Sequence, residues 1–120
     1  MTKNTLVIGA SIKPERYSNK AINMLIDNDI NVKAIGVKPG EVRGVTIEKD
    51  LISFDDIHTV TMYVNPKIQV NYYDYILDLK PKRVLFNPGT ENLEFQEILE
   101  KNNIEVENAC TLVLLSTNQY

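Results

Sequence analysis

The chain has 120 residues and a formal net charge of −3, from 13 Lys and Arg against 16 Asp and Glu. Its composition of 43% hydrophobic and 24% charged residues is that of a folded globular protein, and its length predicts one domain over residues 1–120. The acidic balance argues against nucleic-acid or membrane-surface binding, one cysteine excludes an internal disulfide or a multi-cysteine metal site, and one histidine argues against a histidine zinc site.

The first third of the chain predicts a strand, a helix and a second strand. Residues 5–8 are apolar at consecutive positions, which is typical of a central strand covered on both faces. Ser18 is a good N-cap for a helix near residues 19–28. Residues 31–37 then predict the second strand.

The middle of the chain has a weaker pattern. Residues 44–47 favour a short strand, and residues 50–57 favour a short helical turn. Residues 60–64 predict a further strand, after which Asn65 is a good N-cap for a helix over 66–79 that begins with proline. We expect that helix to bury four side chains: Ile68, Tyr72, Ile76 and Leu79.

Strands and helices also alternate in the last third of the chain. Residues 83–86 predict a strand and residues 91–101 a helix, while the apolar and acidic alternation of 104–107 is typical of an edge strand. Residues 109–115 favour a short apolar helix. Strands that alternate with helices at this spacing predict a parallel sheet built from right-handed βαβ units. Ligands of such sheets bind at the carboxyl ends of the strands, so the residues after each strand are the candidate site.

The loop after the first strand has two interpretations. Gly9 allows a tight turn, and free backbone N–H groups near the next helix could hold a phosphate with help from the cations Lys13 and Arg16. The alternative is a plain strand-to-helix turn. The dinucleotide fingerprint Gly-x-Gly-x-x-Gly is absent, because Ser11 and Pro14 occupy its second and third glycine positions.

The other strand ends are also distinctive. Many NAD-binding sheets carry an acidic residue after the second strand, where this chain has Lys38. That lysine could bind a phosphate on a ribose, or it could be a solvated loop residue. The third and fourth ends, residues 63–66 and 87–91, both lead into a helix N-terminus and suggest a shaped cleft.

The remaining reactive side chains do not form a catalytic group. His58 precedes a strand and is expected as a surface residue at the opposite, amino edge of the sheet. Cys110 has apolar neighbours and is expected to be a buried, slowly reacting thiol. No apolar run approaches the ~20 residues of a membrane span, and the first residues lack a signal-peptide core, so we expect a soluble cytoplasmic protein.

The strand ends resemble those of a known family. The chain is similar to the small single-domain CoA-binding proteins of the Rossmann type, and to the N-terminal CoA-binding domain of the succinyl-CoA synthetase alpha subunit. The resemblance covers nearly the whole chain. It is carried by residues 7–11 with Pro14, and by residues 16–18, 41–44, 63–66, 80–92 and 109–115, of which 87–92 (NPGTEN) and 109–115 (ACTLVLL) are the most specific.

The resemblance implies an α/β fold, a Rossmann-like doubly wound parallel five-stranded sheet with helices on both faces. It also implies a cleft that binds coenzyme A. The residues that it assigns to this cleft are Gly9, Ser11, Arg16, Lys38, Pro39, Val64, Asn65, Pro66, Asn87 and Gly89.

Three functions remain open. The first is the binding of CoA or an acyl-CoA as a small-molecule ligand, without catalysis of its own. The second is part of an NADP-dependent oxidoreductase, and the third is an interaction protein whose nucleotide cleft is vestigial. His58 does not match the phosphohistidine of the synthetase, which lies in a separate domain, so ligase activity is not expected.

Overall fold

The computed structural model describes residues 3–120 and contains one sheet of seven strands within them. The strand order is β3-β4-β2-β1-β5-β6-β7, and neighbouring strands are parallel except for the antiparallel pair β3 and β4. The strands are β1 (Thr5–Ile8), β2 (Val32–Ile35), β3 (Gly40–Val42), β4 (Val45–Glu48), β5 (Thr59–Met62), β6 (Arg83–Phe86) and β7 (Glu105–Asn108).

Helices cover both faces of this sheet. The helices are α1 (Tyr17–Asp27), α2 (Pro66–Gln69), α3 (Tyr73–Leu79), α4 (Leu93–Lys101) and α5 (Thr111–Ser116), with a 3-10 turn at Val70–Tyr72. Leu25 of α1 and Leu115 of α5 pack with Val7 on one face, whereas Ile76 of α3 and Phe95 of α4 belong to the core on the other. The predicted doubly wound α/β architecture is therefore confirmed, and no helix of residues 3–120 is long and apolar enough to cross a membrane.

The expectation of five strands is wrong, because β3 and β4 extend the sheet as a hairpin. Arg43 (φ 48°) and Gly44 (φ 89°) both have positive φ, as a two-residue type I′ turn requires. β3 has only three residues, too few for a visible alternation of polar and apolar positions. Residues 50–57 form an irregular connection with no helical turn, and Phe54 from this segment packs on the core instead.

Two helices differ from their predicted form. α1 begins at Tyr17 with Arg16 as its N-cap, so Ser18 lies inside the first turn and is buried. The predicted helix over 66–79 is interrupted at Val70–Tyr72. This break changes the phase of the helical faces, so that Ile76 is fully buried while Ile68 is 42% exposed.

The direction of winding reverses between two central strands. β1 pairs with β2 on one side and with β5 on the other. The crossover through α1 lies on one face and the crossover from β5 to β6 lies on the other. The carboxyl ends of β1 and β5 are therefore the switch point, where open α/β sheets bind their ligands.

Candidate functional site

Gly9 and Val64 meet at the switch point. Gly9 has φ 96°, and a Cβ atom at this position would lie 2.9 Å from Val64 Cγ1 and 3.0 Å from the backbone of Tyr63. The N–H groups of Gly9 and Ala10 both donate to the carbonyl of Ile35, at 2.9 Å each. The close approach to Val64 and Tyr63 requires glycine at position 9. The two hydrogen bonds to Ile35 hold the loop against β2, so these two N–H groups are already bonded within the protein.

The first turn of α1 holds no acidic residue that would offset the positive end of the helix, although Glu15 directly precedes the N-cap. Arg16 makes no side-chain cap. Lys13 and Arg16 are both exposed beside it. The preceding loop is held by Asn19, whose buried amide donates to the carbonyl of Ser11 at 2.9 Å. Free N–H groups, the helix dipole and two cations make this end attractive to an anion.

The loop after β2 combines a cation with apolar side chains. Lys38 and Pro39 are exposed, and no hydrogen bond or ion pair joins the Lys38 ammonium to the described residues. Val37 is 78% exposed and Ile12, from the loop after β1, is 58% exposed. A Cβ atom on Gly40 would lie 2.5 Å from Ile12 Cγ2, so the two loops touch. Ile12 and Val37 were not among the predicted site residues; their signal in the sequence is an apolar side chain in a loop.

The loop after β5 begins α2 as predicted. The Asn65 side chain accepts a hydrogen bond from the N–H of Ile68 at 3.0 Å, and Pro66 occupies the first helical position. Gln69, which closes α2, is fully buried. Its amide group donates to the carbonyls of Val64 at 2.9 Å and of Thr90 at 2.8 Å. Gln69 was not among the predicted site residues, because only the tertiary structure brings the two carbonyls together.

Asn87 makes its contacts inside the protein. Its side chain is 3% exposed and donates to Thr61 Oγ1 at 2.7 Å and to the carbonyl of Met62 at 2.9 Å. Its Oδ1 accepts from the N–H of Thr111 at 2.8 Å. All of its polar atoms are thus engaged, and Asn87 shapes the edge of the sheet by joining β5, β6 and α5.

The predicted site residues occupy one edge of the sheet. All ten follow the carboxyl ends of the four adjacent parallel strands β2, β1, β5 and β6. Contact between Gly9 and Val64 is direct, and Gly89 (φ 91°) is exposed in the turn after β6, where its N–H donates to Glu91 Oε1 at 2.8 Å. The fold therefore brings these segments together, although the Asn87 side chain is turned inward.

Two other residues differ from their expected surroundings. His58 lies at the amino edge as expected, but its side chain is half-buried. Cys110 is also half-buried rather than buried, because Thr111 and Leu115 are the residues of this segment that pack against the sheet. Two shallow clefts lie at the amino edge and share Lys82, Asn103 and Ile104, and none of the ten predicted residues lines them.

An open, doubly wound α/β sheet with a glycine at its switch point defines a Rossmann-like domain. The sequence matches the CoA binding domain family over residues 3–116. The chain therefore belongs to the CoA binding domain family. No curated protein sequence matches it.

Solved structures share this fold over nearly the whole chain. The crystal structure of an uncharacterized protein is 45% identical, with a TM-score of 0.97, covering 100% of this chain and 99% of the other. A hypothetical protein from Pyrococcus horikoshii OT3 is 25% identical, with a TM-score of 0.87 and coverage of 97% and 83%. A protein from Thermus thermophilus, 19% identical with a TM-score of 0.84 and coverage of 98% and 91%, supports the fold alone.

Proposed function

We propose that this protein is a single cytoplasmic domain, residues 1–120, that binds coenzyme A or an acyl-CoA at the carboxyl edge of its sheet. The observation that carries the proposal is the positive N-terminus of α1, with Lys13 and Arg16 beside it, next to the switch point. Membership of the CoA binding domain family supports the same ligand.

The pyrophosphate of CoA suits the loop between β1 and α1. Gly9 lets this loop pass close to Val64, and Arg16 stands at the start of an eleven-residue helix. Helix N-termini bind phosphates through their unpaired N–H groups, and arginine adds charge-assisted hydrogen bonds. We therefore assign Gly9, Ser11 and Arg16 to the pyrophosphate.

The adenosine part of CoA suits the loop after β2. Ile12 and Val37 expose apolar surface on which a base can pack, and Lys38 has no partner among residues 3–120. CoA carries a phosphate on its ribose that dephospho-CoA lacks. Because a lysine attracts that phosphate and an acidic residue repels it, Lys38 is the residue that favours CoA over dephospho-CoA.

We propose binding without catalysis by this chain. None of the ten assigned residues is a carboxylate, a histidine or a cysteine, so they supply no pair of groups for general acid and base chemistry. Their backbone groups, amides and cations are suited to holding a ligand.

Calorimetric titration tests this function with three ligands: CoA, dephospho-CoA and NADP. We expect CoA to bind the parent about tenfold more tightly than dephospho-CoA, the lower end of a charge-assisted contact because Lys38 is solvated. Lys38→Glu should remove this preference. Lys33→Glu makes the same change of charge at an exposed position within β2 and should keep it.

Each other outcome contradicts part of the proposal. If the parent does not bind CoA, the proposed function is wrong. Tight binding of NADP without CoA would support an oxidoreductase fragment, and no binding of any of the three would support an interaction protein with a vestigial cleft. Equal affinities of the parent for CoA and dephospho-CoA would remove Lys38 from the site.

A further inference from the structure

Gln69 connects two loops that end neighbouring strands. Its side chain is fully buried at the end of α2. One amide nitrogen donates to the carbonyl of Val64 at 2.9 Å, after β5, and to the carbonyl of Thr90 at 2.8 Å, after β6. One side chain therefore spans the gap between these two loops at the carboxyl edge.

The orientation of the Gln69 amide is set by a second buried amide. Asn92 donates to Gln69 Oε1 at 2.9 Å and to the hydroxyl of Tyr73 at 2.9 Å. Asn92 Oδ1 in turn accepts from the N–H of Phe95 at 3.1 Å, at the start of α4. Because the oxygen of Gln69 is occupied by a donor, its NH₂ group must face the two carbonyls.

This arrangement is specific to an amide side chain. An apolar residue of the same length would fill the space but would leave the carbonyls of Val64 and Thr90 unpaired, and buried unpaired polar groups are strongly unfavourable. A carboxylate would place its oxygen atoms, which only accept hydrogen bonds, against the two carbonyl oxygens, which also only accept them. Only a group with two donors and one acceptor completes the network.

We propose that Gln69 is a positioning residue of the CoA site: it keeps the Val64–Pro66 and Gly89–Thr90 loops at the separation that the ligand requires, without contacting the ligand. This inference rests on the proposed function, because both loops belong to the assigned CoA cleft. A loop that is ordered before binding need not be ordered by the ligand, which raises affinity.

The experiment compares the parent with Gln69→Met, which keeps the length of the side chain and removes both donors. We expect the dissociation constant for CoA to rise about tenfold, since binding must then order the loop. Amide hydrogen exchange at residues 89–91 should become faster in the ligand-free protein. Gln69→Asn, which keeps an amide but is too short to reach both carbonyls, should have the same effects to a smaller degree and serves if Gln69→Met does not fold.

Thr59→Val is the matched control. Thr59 is fully buried at the start of β5, and its hydroxyl accepts from Arg83 Nε at 2.8 Å, so its removal also leaves a buried group without its partner. This change lies at the opposite edge of the sheet. It should lower stability while leaving CoA affinity and exchange at residues 89–91 unchanged, which separates positioning from general destabilisation.

The outcomes distinguish this inference from the proposed function. If the parent binds CoA and the folded Gln69 variants bind it equally well, Gln69 is not a positioning residue. If the parent does not bind CoA, the proposed function fails, and the exchange rates still test the connection between the loops. Unchanged exchange at residues 89–91 in the Gln69 variants would overturn that connection.

Discussion

Gly9 and Lys38 illustrate two kinds of residue at the carboxyl edge. Gly9 is fixed by the backbone of Tyr63 and the side chain of Val64, so its identity is required by the protein itself. Lys38 is exposed and has no partner among residues 3–120. We therefore expect substitution at Gly9 to affect folding as well as the proposed binding of CoA, whereas substitution at Lys38 tests the proposed binding alone.

Gly9→Ala should destabilise the protein more than Gly44→Ala. Both glycines have positive φ, but nothing lies within 4 Å of a Cβ atom built on Gly44. Gly44→Ala should lower the free energy of unfolding by about 1 kcal/mol, the cost of the left-handed backbone. Gly9→Ala adds close contacts and should lower it by a further ~1–3 kcal/mol.

Chemical denaturation of the parent and both glycine variants measures this difference. We expect Gly9→Ala to lose more free energy of unfolding than Gly44→Ala, at an unchanged m-value. Equal losses for the two variants would show that the backbone at Gly9 can move away from Val64, and that the close approach at the switch point is not required.

At the scale of elements, asparagine side chains fix the ends of strands and the starts of helices at the carboxyl edge. Asn87 joins β6 to β5 and to the start of α5. Asn65 begins α2 and Asn92 begins α4, each by capping a backbone N–H. The motif at 87–92 thus encodes both a strand-to-helix turn and the attachment of α5.

Asn87→Leu should be strongly destabilising. It leaves the N–H of Thr111 and the carbonyl of Met62 without their buried partner, at about 1–3 kcal/mol for each unsatisfied group. We expect a loss of about 3 kcal/mol in the free energy of unfolding. Asn108→Leu makes the same substitution at the exposed end of β7 and should change stability by no more than about 0.5 kcal/mol.

Thermal and chemical unfolding of the two Asn→Leu variants decides this point. If Asn87→Leu is as stable as Asn108→Leu, the Asn87 network contributes no net stability. The helical signal of α5 should also fall in a folded Asn87→Leu variant, because Thr111 begins that helix.

For the whole molecule, the amino edge concentrates positive charge around the single histidine. Thr59 Oγ1 accepts a hydrogen bond from Arg83 Nε at 2.8 Å and lies 2.8 Å from His58 Nδ1, within hydrogen-bonding distance. Burial of His58 lowers its pKa below the ordinary value of 6.5, and the nearby Arg83, Lys3 and Lys82 lower it further. The folded protein therefore favours neutral His58.

Acidification through this range should reduce stability. Below about pH 6.5 the unfolded chain binds a proton at His58 that the folded chain does not, so the free energy of unfolding decreases as the pH falls toward the lowered pKa. His58→Gln cannot ionise and should show a smaller decrease between about pH 7 and pH 5.5. The measurement is urea denaturation at several pH values.

A direct titration of the His58 ring by NMR provides the control. Its pKa should lie below 6.5 in the parent and should rise in Lys82→Gln, since one of the cations that lower it is removed. An unchanged pH dependence in His58→Gln would show that other groups account for the loss of stability in this range.

Local patterns in the sequence determined the class of fold and the location of the candidate site. Consecutive apolar residues in β1 and the cap at Asn65 depend on neighbours a few positions apart, so they are visible without the structure. The edge position of β7 was predicted for the same reason. Because parallel strands end at a common edge, the order of strands and helices was enough to place the candidate residues there.

Contacts between distant segments were decided only by the tertiary structure. The pairing of β3 with β4, the inward side chain of Asn87 and the bonds of Gln69 to Val64 and Thr90 depend on which groups the fold brings together. The sequence around a polar side chain shows the same local pattern whether that side chain faces a ligand or a buried carbonyl. Its partner is selected by the packing of the whole chain, because buried polar groups must be paired within the folded protein.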